Sequence, residues 1–203
     1  SDLTPIAVSV LSATAMADRH AESLISLMDG AIPSLRVATF EARQSALTVG
    51  IRGIVPFDAN QTARDQGVGV YIDGVYLGRP QGLNAALYDV QSMEVLKGPQ
   101  GTLYGRNASG GAINIITKTP GQTPEVSGDV AYGSFNTLDA RAYVAGPLAD
   151  NLTASISGLY RRRDGLVENT ITGDKLNNRN LISTRGKLHY TPTFFFNDTA
   201  TTE

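Results

Sequence analysis

The fold class predicted by this sequence is an α+β unit, a small mixed sheet with short helices, followed by a run of antiparallel strands. Three observations predict it. The stretch Met93 to Pro120 reads as strand, glycine-rich turn, strand. Ahead of it, short β-branched runs are interspersed with apolar residues at helical spacing. From Glu125 onward the hydrophobic period changes to two, with turn residues between segments.

In chain order, Pro5 to Leu11 is apolar and β-branched and reads as a first strand. Ser12 to Met28 carries two short helical patterns: Ala13, Met16 and Ala17, then Leu24, Leu27 and Met28. Ser23 is placed to cap the second and Gly30 to stop it. Leu35 to Thr39 and Ala46 to Ile51 read as strands, and the polar stretch Pro56 to Asp65 as a loop. Val70-Tyr71-Ile72 and Val75-Tyr76-Leu77 flank Asp73-Gly74, the chemistry of a type I′ hairpin turn. A ligand role for Asp73 is open, but the turn role is the default for this dipeptide. Leu83 to Val90 reads as a short helix or turn leading into Met93.

After Pro120 the texture changes, and Gly121-Gln122-Thr123-Pro124 reads as a linker. Beyond it Val126, Gly128, Val130 and Tyr132 share one face, as do Leu138, Ala140, Ala142 and Val144. Leu152, Ala154, Ile156 and Tyr160 repeat the pattern, and so do Ile182, Thr184, Leu188 and Tyr190. Segments of about ten residues, apolar on one side and polar on the other, suit outer-membrane barrel strands. A soluble β-sheet alternates in the same way, so the pattern alone leaves both open. The compact Gly146 to Asn151 suits a periplasmic turn, and the longer polar Asp164 to Asn178 an external loop.

Composition narrows the function classes. The chain has 203 residues, net charge −2 and no Cys. No basic field recruits nucleic acid, and no disulfide or thiolate metal site can form. No apolar run reaches the ~18 residues of a membrane helix. Catalysis finds no motif: His20 and His189 lack a linked serine and acid, and Gly-x-Ser-x-Gly is absent. Gly101 to Arg106 lacks the spacing and the Lys-Ser/Thr of a phosphate loop. The expectation is a non-enzyme with no cofactor and no metal.

The residues MEVLKGPQGTLYGRNASGGAINIITKTP, 93–120, resemble the signature of the plug domain of TonB-dependent outer-membrane receptors. There a strand ending in a Leu-Arg/Lys-Gly-Pro corner leads to a Tyr-Gly turn and a Gly-Gly-Ala/Val-Ile-Asn-Ile strand. Ile51-Arg52-Gly53, the Tyr-Ile-Asp-Gly-Val hairpin and the proline-led first strand resemble the same family. The resemblance implies a plug domain over 1–120 and, over 121–193, the first strands of a truncated transmembrane β-barrel. Four strands cannot close a barrel of about 22 strands around a plugged lumen. The run 194–203 fits neither period, resembles a translated sequencing-adapter remnant, and is read as a non-native tail.

Further expectations rest on that resemblance. In the family an inward Arg of the Ile-Arg-Gly stretch and the basic residue of the Gly-Pro corner pair with barrel glutamates and lock the plug. The matching positions are Arg52 and Lys97, with Lys offering a point charge in place of the planar fork of Arg. Glu94 and Arg106 are further lock candidates. The plain alternative is solvated surface charge. Ligand contacts are expected from Tyr76, Arg79 and Gln81 and from Phe57 and Asn60, with simple loop solvation as the alternative.

The implied function is energised uptake of a bulky scarce solute, a ferric siderophore first, through the cell outer membrane of a Gram-negative bacterium. The plug would face the barrel lumen and periplasm. Implied partners are the TonB complex of the inner membrane, outer-membrane lipid and the extracellular ligand. The box that contacts TonB lies upstream of the first strand in the family. Only four residues precede Pro5, so that box is expected to be missing. A signal-transducing receptor and a soluble α/β binding module are the alternatives.

Overall fold

The computed structural model describes residues 7–21, 23–40, 43–55, 67–78, 87–105, 108–168, 170–173 and 175–192. The chain divides into two compact units, Ser1–Lys118 and Thr119–Glu203. The stretch 56–65 read as a loop and the tail 194–203 lie outside the described residues.

The first unit runs β1 (Ala7–Ser12), α1 (Ala13–Asp18), a 3-10 turn (Leu24–Asp29), β2 (Leu35–Phe40), β3 (Arg43–Ile51), β4 (Val68–Ile72), β5 (Val75–Tyr76), β6 (Val90–Lys97), α2 (Gly101–Tyr104) and β7 (Gly111–Thr117). Five strands form one sheet in the order β1-β6-β7-β4-β5, and β2 pairs β3 as a separate hairpin. β4 and β7 run parallel while the other pairs are antiparallel, so the sheet is mixed, as expected. Alternation places Met93, Val95, Ile113, Ile115, Val68 and Val70 on one face. They are buried with Met16, Leu24, Leu27, Leu47, Val49 and Ile51. Each such side chain contributes about 1.5–3 kcal/mol of burial. Leu96, Ala112 and Tyr71 cover the other face, with Tyr76 and Tyr104 packed on them.

Local chemistry explains most of the elements. Ser12 caps α1, its Oγ accepting from the Ala15 N–H at 3.2 Å. Asp73 and Gly74 take φ of +48° and +81°, the two left-handed positions of the type I′ turn. Gly111 is required by space as well: a Cβ there would stand 2.4 Å from the Leu96 carbonyl oxygen.

Two sequence expectations are corrected. Leu24–Asp29 is a 3-10 turn, not an α-helix, and Ser23 sits at its start without a side-chain cap bond. In a 3-10 turn residues three apart eclipse, which stacks Leu24 on Leu27 toward the core. Of the stretch read as a short helix or turn, residues 87–89 bend, and 83–86 lie outside the described residues. The turn after Gly98-Pro99 holds the short α2, which glycine density concealed.

The second unit is β8 (Glu125–Gly133), β9 (Thr137–Ala149), β10 (Leu152–Arg163), β11 (Val167–Glu168), β12 (Lys175–Leu176) and β13 (Arg179–Tyr190). Four long strands form an antiparallel sheet in the order β13-β10-β9-β8. The stretch read as a polar loop contains the small β11–β12 hairpin. Register aligns Val126, Val144 and Ile156, then Val130, Ala140 and Tyr160, on one face.

Candidate functional site

Two places carry groups able to do more than pack. In the first unit, the chain leaves β3 at Ile51 and turns through Arg52 and Gly53, with φ of +53° and +82°. The Ile54 N–H returns to the Ile51 carbonyl at 3.0 Å, and the Arg52 N–H donates to the Ser34 carbonyl at 2.9 Å. This aims the exposed Arg52 at the corner after β6. Its Nη1 lies 3.5 Å from where a Cβ on Gly98 would stand. Lys97 immediately precedes Gly98, so one end of the sheet presents both cations. Among the described residues no carboxylate lies within ion-pair distance of either. The Arg52 side chain is exposed, carried off the strand by a left-handed turn.

Glu94 is not grouped with Lys97. The two are three residues apart on β6, so the pleat sends them to opposite faces. Glu94 instead accepts from Asn114 Nδ2 across the sheet at 3.4 Å. Tyr76 is half-buried, its ring centroid 5.4 Å from that of Tyr71, which lies 4.8 Å from that of Tyr104. The Tyr71 hydroxyl donates to the Tyr104 carbonyl at 2.9 Å. Burial pushes the Tyr71 phenol above its ordinary range, with Tyr76 and Tyr104 adding to the effect. Burial raises Tyr104 as well, with Glu94 second. Arg106, Arg79, Gln81, Phe57 and Asn60 lie outside the described residues.

Asp73 does more than turn the chain. Its carboxylate grips Thr117 at the far end of β7, taking the backbone N–H at 2.9 Å and the hydroxyl as well. The first cue was the Asp-Gly turn; the partner, distant in sequence, had none.

In the second unit the burial pattern is inverted for a water-soluble sheet. Ile156 is 63% exposed on the apolar face, while Arg161 on the polar face is 6% exposed. The apolar face is edged by Tyr190 beside Leu152 at one end and by Tyr132 beside Leu138 at the other. From Leu152 to Arg162, which is paired with Leu138, is roughly 33 Å along the strand. At a tilt of about 40° that spans about 25 Å, the height of a barrel's lipid-facing band.

The polar face carries an ion ladder that sequence reading did not isolate. Asp129 lies 3.7 Å from Arg141 Nε, which lies 3.2 Å from Asp139. Asp139 and Arg161, directly opposite on β9 and β10, form a two-pronged pair, with Nε at 2.5 Å. Both are buried. The signal available in sequence was only that acids and arginines hold polar positions of neighbouring segments. Among the described residues no three acidic, His or Cys side chains gather as a metal site. No helix among them is long and apolar enough to cross a membrane.

A family model described as the TonB-dependent Receptor Plug Domain matches residues 2–112. The pesticin receptor of Yersinia enterocolitica is 38% identical over 130 residues, 62% of this chain and 18% of that protein. The iron-regulated outer membrane virulence protein of Vibrio cholerae is 36% identical over 121 residues, 56% of this chain and 18% of that protein. The crystal structure of the ferric yersiniabactin uptake receptor FyuA from Yersinia pestis superposes with a TM-score of 0.77 and 30% identity, covering 93% of this chain and 29% of that one. The chain thus spans under a third of the length of these relatives.

Proposed function

This chain belongs to the TonB-dependent receptor plug domain family, and on that premise we propose that it forms part of a gated outer-membrane uptake receptor whose cargo is a ferric siderophore. One observation carries the reading: a mixed sheet of the plug type is followed in the same chain by strands whose apolar face is exposed and whose arginine-bearing face is buried. A soluble module would bury Ile156 and expose Arg161; a barrel wall does the reverse. Iron enters the reading through the names of the relatives, one iron-regulated and one a receptor for a ferric chelate.

In this reading the first unit is the plug and the strands of the second begin the wall. The wall sits in outer-membrane lipid and the plug faces the lumen and periplasm. Arg52 and Lys97, gathered at the Gly98 corner, pair with acids of the wall outside this chain. Such pairs hold firmly while dry and are released once water resolvates the charges. Lys97 makes the weaker lock, a point charge where Arg offers a fork. Arg106 joins them from the following turn. Ligand contacts come from Tyr76, Arg79 and Gln81 beyond the hairpin and from Phe57 and Asn60. The TonB complex supplies the work, and local detachment of short strands costs less than global unfolding.

Uptake of radiolabelled ferric chelates by cells carrying the complete gene tests this. Uptake should require both the gene and an energised inner membrane. Arg52→Ala should leave the receptor in the outer membrane but release the plug more readily to denaturant. Uptake that persists without the gene, or product recovered only in soluble fractions, would defeat the reading.

A further inference from the structure

The exposed apolar face of the second unit is not smooth. Near the compact turn it is cut by a groove of about 430 Å³ whose lining includes Pro124, Val144, Gly146, Leu148, Ala154 and Ile156. Gly146 and Ala154 stand directly opposite each other on β9 and β10, so the floor between them carries a single methyl group. Val144 faces Ile156 on the next outward pair and forms one wall. The other wall is a β-bulge: from Leu152 to Thr153 the partner on β9 moves from Ala149 to Pro147, and Leu148 is left over. Proline suits that place, because a bulge interrupts the ladder of hydrogen bonds.

Pro124 closes the side, its atoms 3.6–3.9 Å from where a Cβ on Gly146 would stand. The linker holds it there. Gln122 Nε2 donates to the Asp150 carbonyl at 2.8 Å, and the Thr153 hydroxyl donates to the Pro120 carbonyl at 2.9 Å. β9 and β10 lie inside the sheet, between β8 and β13. A strand added beside β8 or β13 stands two spacings, roughly 9–10 Å, from β9 or β10, so further wall strands do not run over the groove. Counted from the girdle pair Leu152–Tyr190, Ala154 lies roughly 7 Å and Ile156 roughly 13 Å along the strand. Both fall within the roughly 15 Å of hydrocarbon that one leaflet contributes.

We propose that this groove holds one acyl chain of a phospholipid from the periplasmic leaflet. The proposal rests on the uptake reading above, in which this face meets lipid and the compact turn faces the periplasm. The leaflet on that side of a Gram-negative outer membrane is phospholipid, and lipopolysaccharide occupies the other. No hydrophobic gain separates one apolar patch from another here, because lipid tails are as apolar as the wall. Contact separates them: a chain in the groove touches floor and walls together, where a smooth wall offers one side. That lipid exchanges more slowly than its neighbours and stays through purification.

The test uses the complete receptor, purified in detergent and titrated with phosphatidylethanolamine under native mass spectrometry. The wild type should keep one phosphatidylethanolamine after excess lipid has been washed away. Ala154→Phe should lower the affinity about tenfold, because the ring takes the space in which several methylenes pack. Gly146→Ala should fall between, and its Cβ meets Pro124 only at ordinary contact distance. Val130→Phe, on the same face but away from the groove, should leave the affinity unchanged. Heat-modified mobility in gels confirms that each variant is folded. No lipid retained by the wild type, or equal affinity in Ala154→Phe, would overturn the site. So would retention of lipopolysaccharide in place of the phospholipid when both are offered. A receptor dimer that Ala154→Phe dissociates would overturn it too, by placing a second copy in the groove. If the wild type holds the lipid and Ala154→Phe does not, yet cells take up no ferric chelate, the uptake reading fails while the groove stands.

Discussion

Asp73 holds Thr117 twice, its two carboxylate oxygens taking the backbone N–H and the hydroxyl of a residue 44 positions away. The Asp73 N–H in turn donates to the Ile115 carbonyl at 2.9 Å. The hairpin tip is thereby fastened to the end of β7, the strand it runs beside in parallel. Parallel pairing is the less stable kind per residue, so a side-chain fastener at its end matters.

Asp73→Ala removes both grips and leaves a left-handed position without its preferred residue. The expected loss is about 2–3 kcal/mol, the range for hydrogen bonds to a charged group. Asp73→Asn keeps the turn and one acceptor and should lose about half as much. Urea unfolding followed by tyrosine fluorescence measures both; equal midpoints for wild type and Asp73→Ala would show that the turn stands without Thr117.

Asp139 and Arg161 should behave as a unit. Removing Asp139 alone, as Asp139→Leu, strands a buried guanidinium and should cost about 3–5 kcal/mol. The double variant with Arg161→Leu should recover much of that, because two apolar side chains leave no charge to compensate. A double-mutant cycle on the thermal unfolding of the full receptor reads the coupling, and additive effects would mean the pair is not coupled.

Alkaline pH should loosen the first unit. Burial raises the Tyr71 and Tyr104 phenols above the ordinary value near 10. A raised acid pKa means that the unfolded chain gives up the proton first. The stabilisation is full below about pH 10 and is lost as pH climbs through the raised folded values. Absorbance of tyrosinate should show late-titrating phenols among the 8 tyrosines, and Tyr71→Phe should remove one of them. A single titration at the ordinary value for all of them would contradict this.

The strands from Val126 to Tyr190 need a non-aqueous neighbour. On the apolar face Val126, Val130, Ile182 and Leu188 are all exposed. Placed in water as this 203-residue chain, they should exchange their amide hydrogens rapidly, while β6 and β7 exchange slowly. Detergent should slow them. Strong protection across Val126 to Tyr190 in plain buffer would mean that the sheet is stable without lipid.

Much of this protein could be read along the chain wherever the cause was local. Asp73-Gly74 declares its turn because only certain residues tolerate two positive φ values in succession. Val126 to Tyr132 declares its strand because side chains alternate with period two. The order of residues from Met93 to Pro120 was specific enough to point to the family. Leu24, Leu27 and Met28 were misread because α and 3-10 spacing coincide over one turn.

What pairs with what was decided only in three dimensions. Nothing in the sequence links Asp73 to Thr117 or sets Arg161 opposite Asp139. Those meetings follow from strand order and register; in the first unit the burial of Val68, Met93 and Ile113 selects them. The same pleat parted Glu94 from Lys97, close neighbours in sequence, and a left-handed turn carried Arg52 to the Gly98 corner. A chain's residues state their own backbone preferences, but a charge acquires its partner only when the strands around it have been packed.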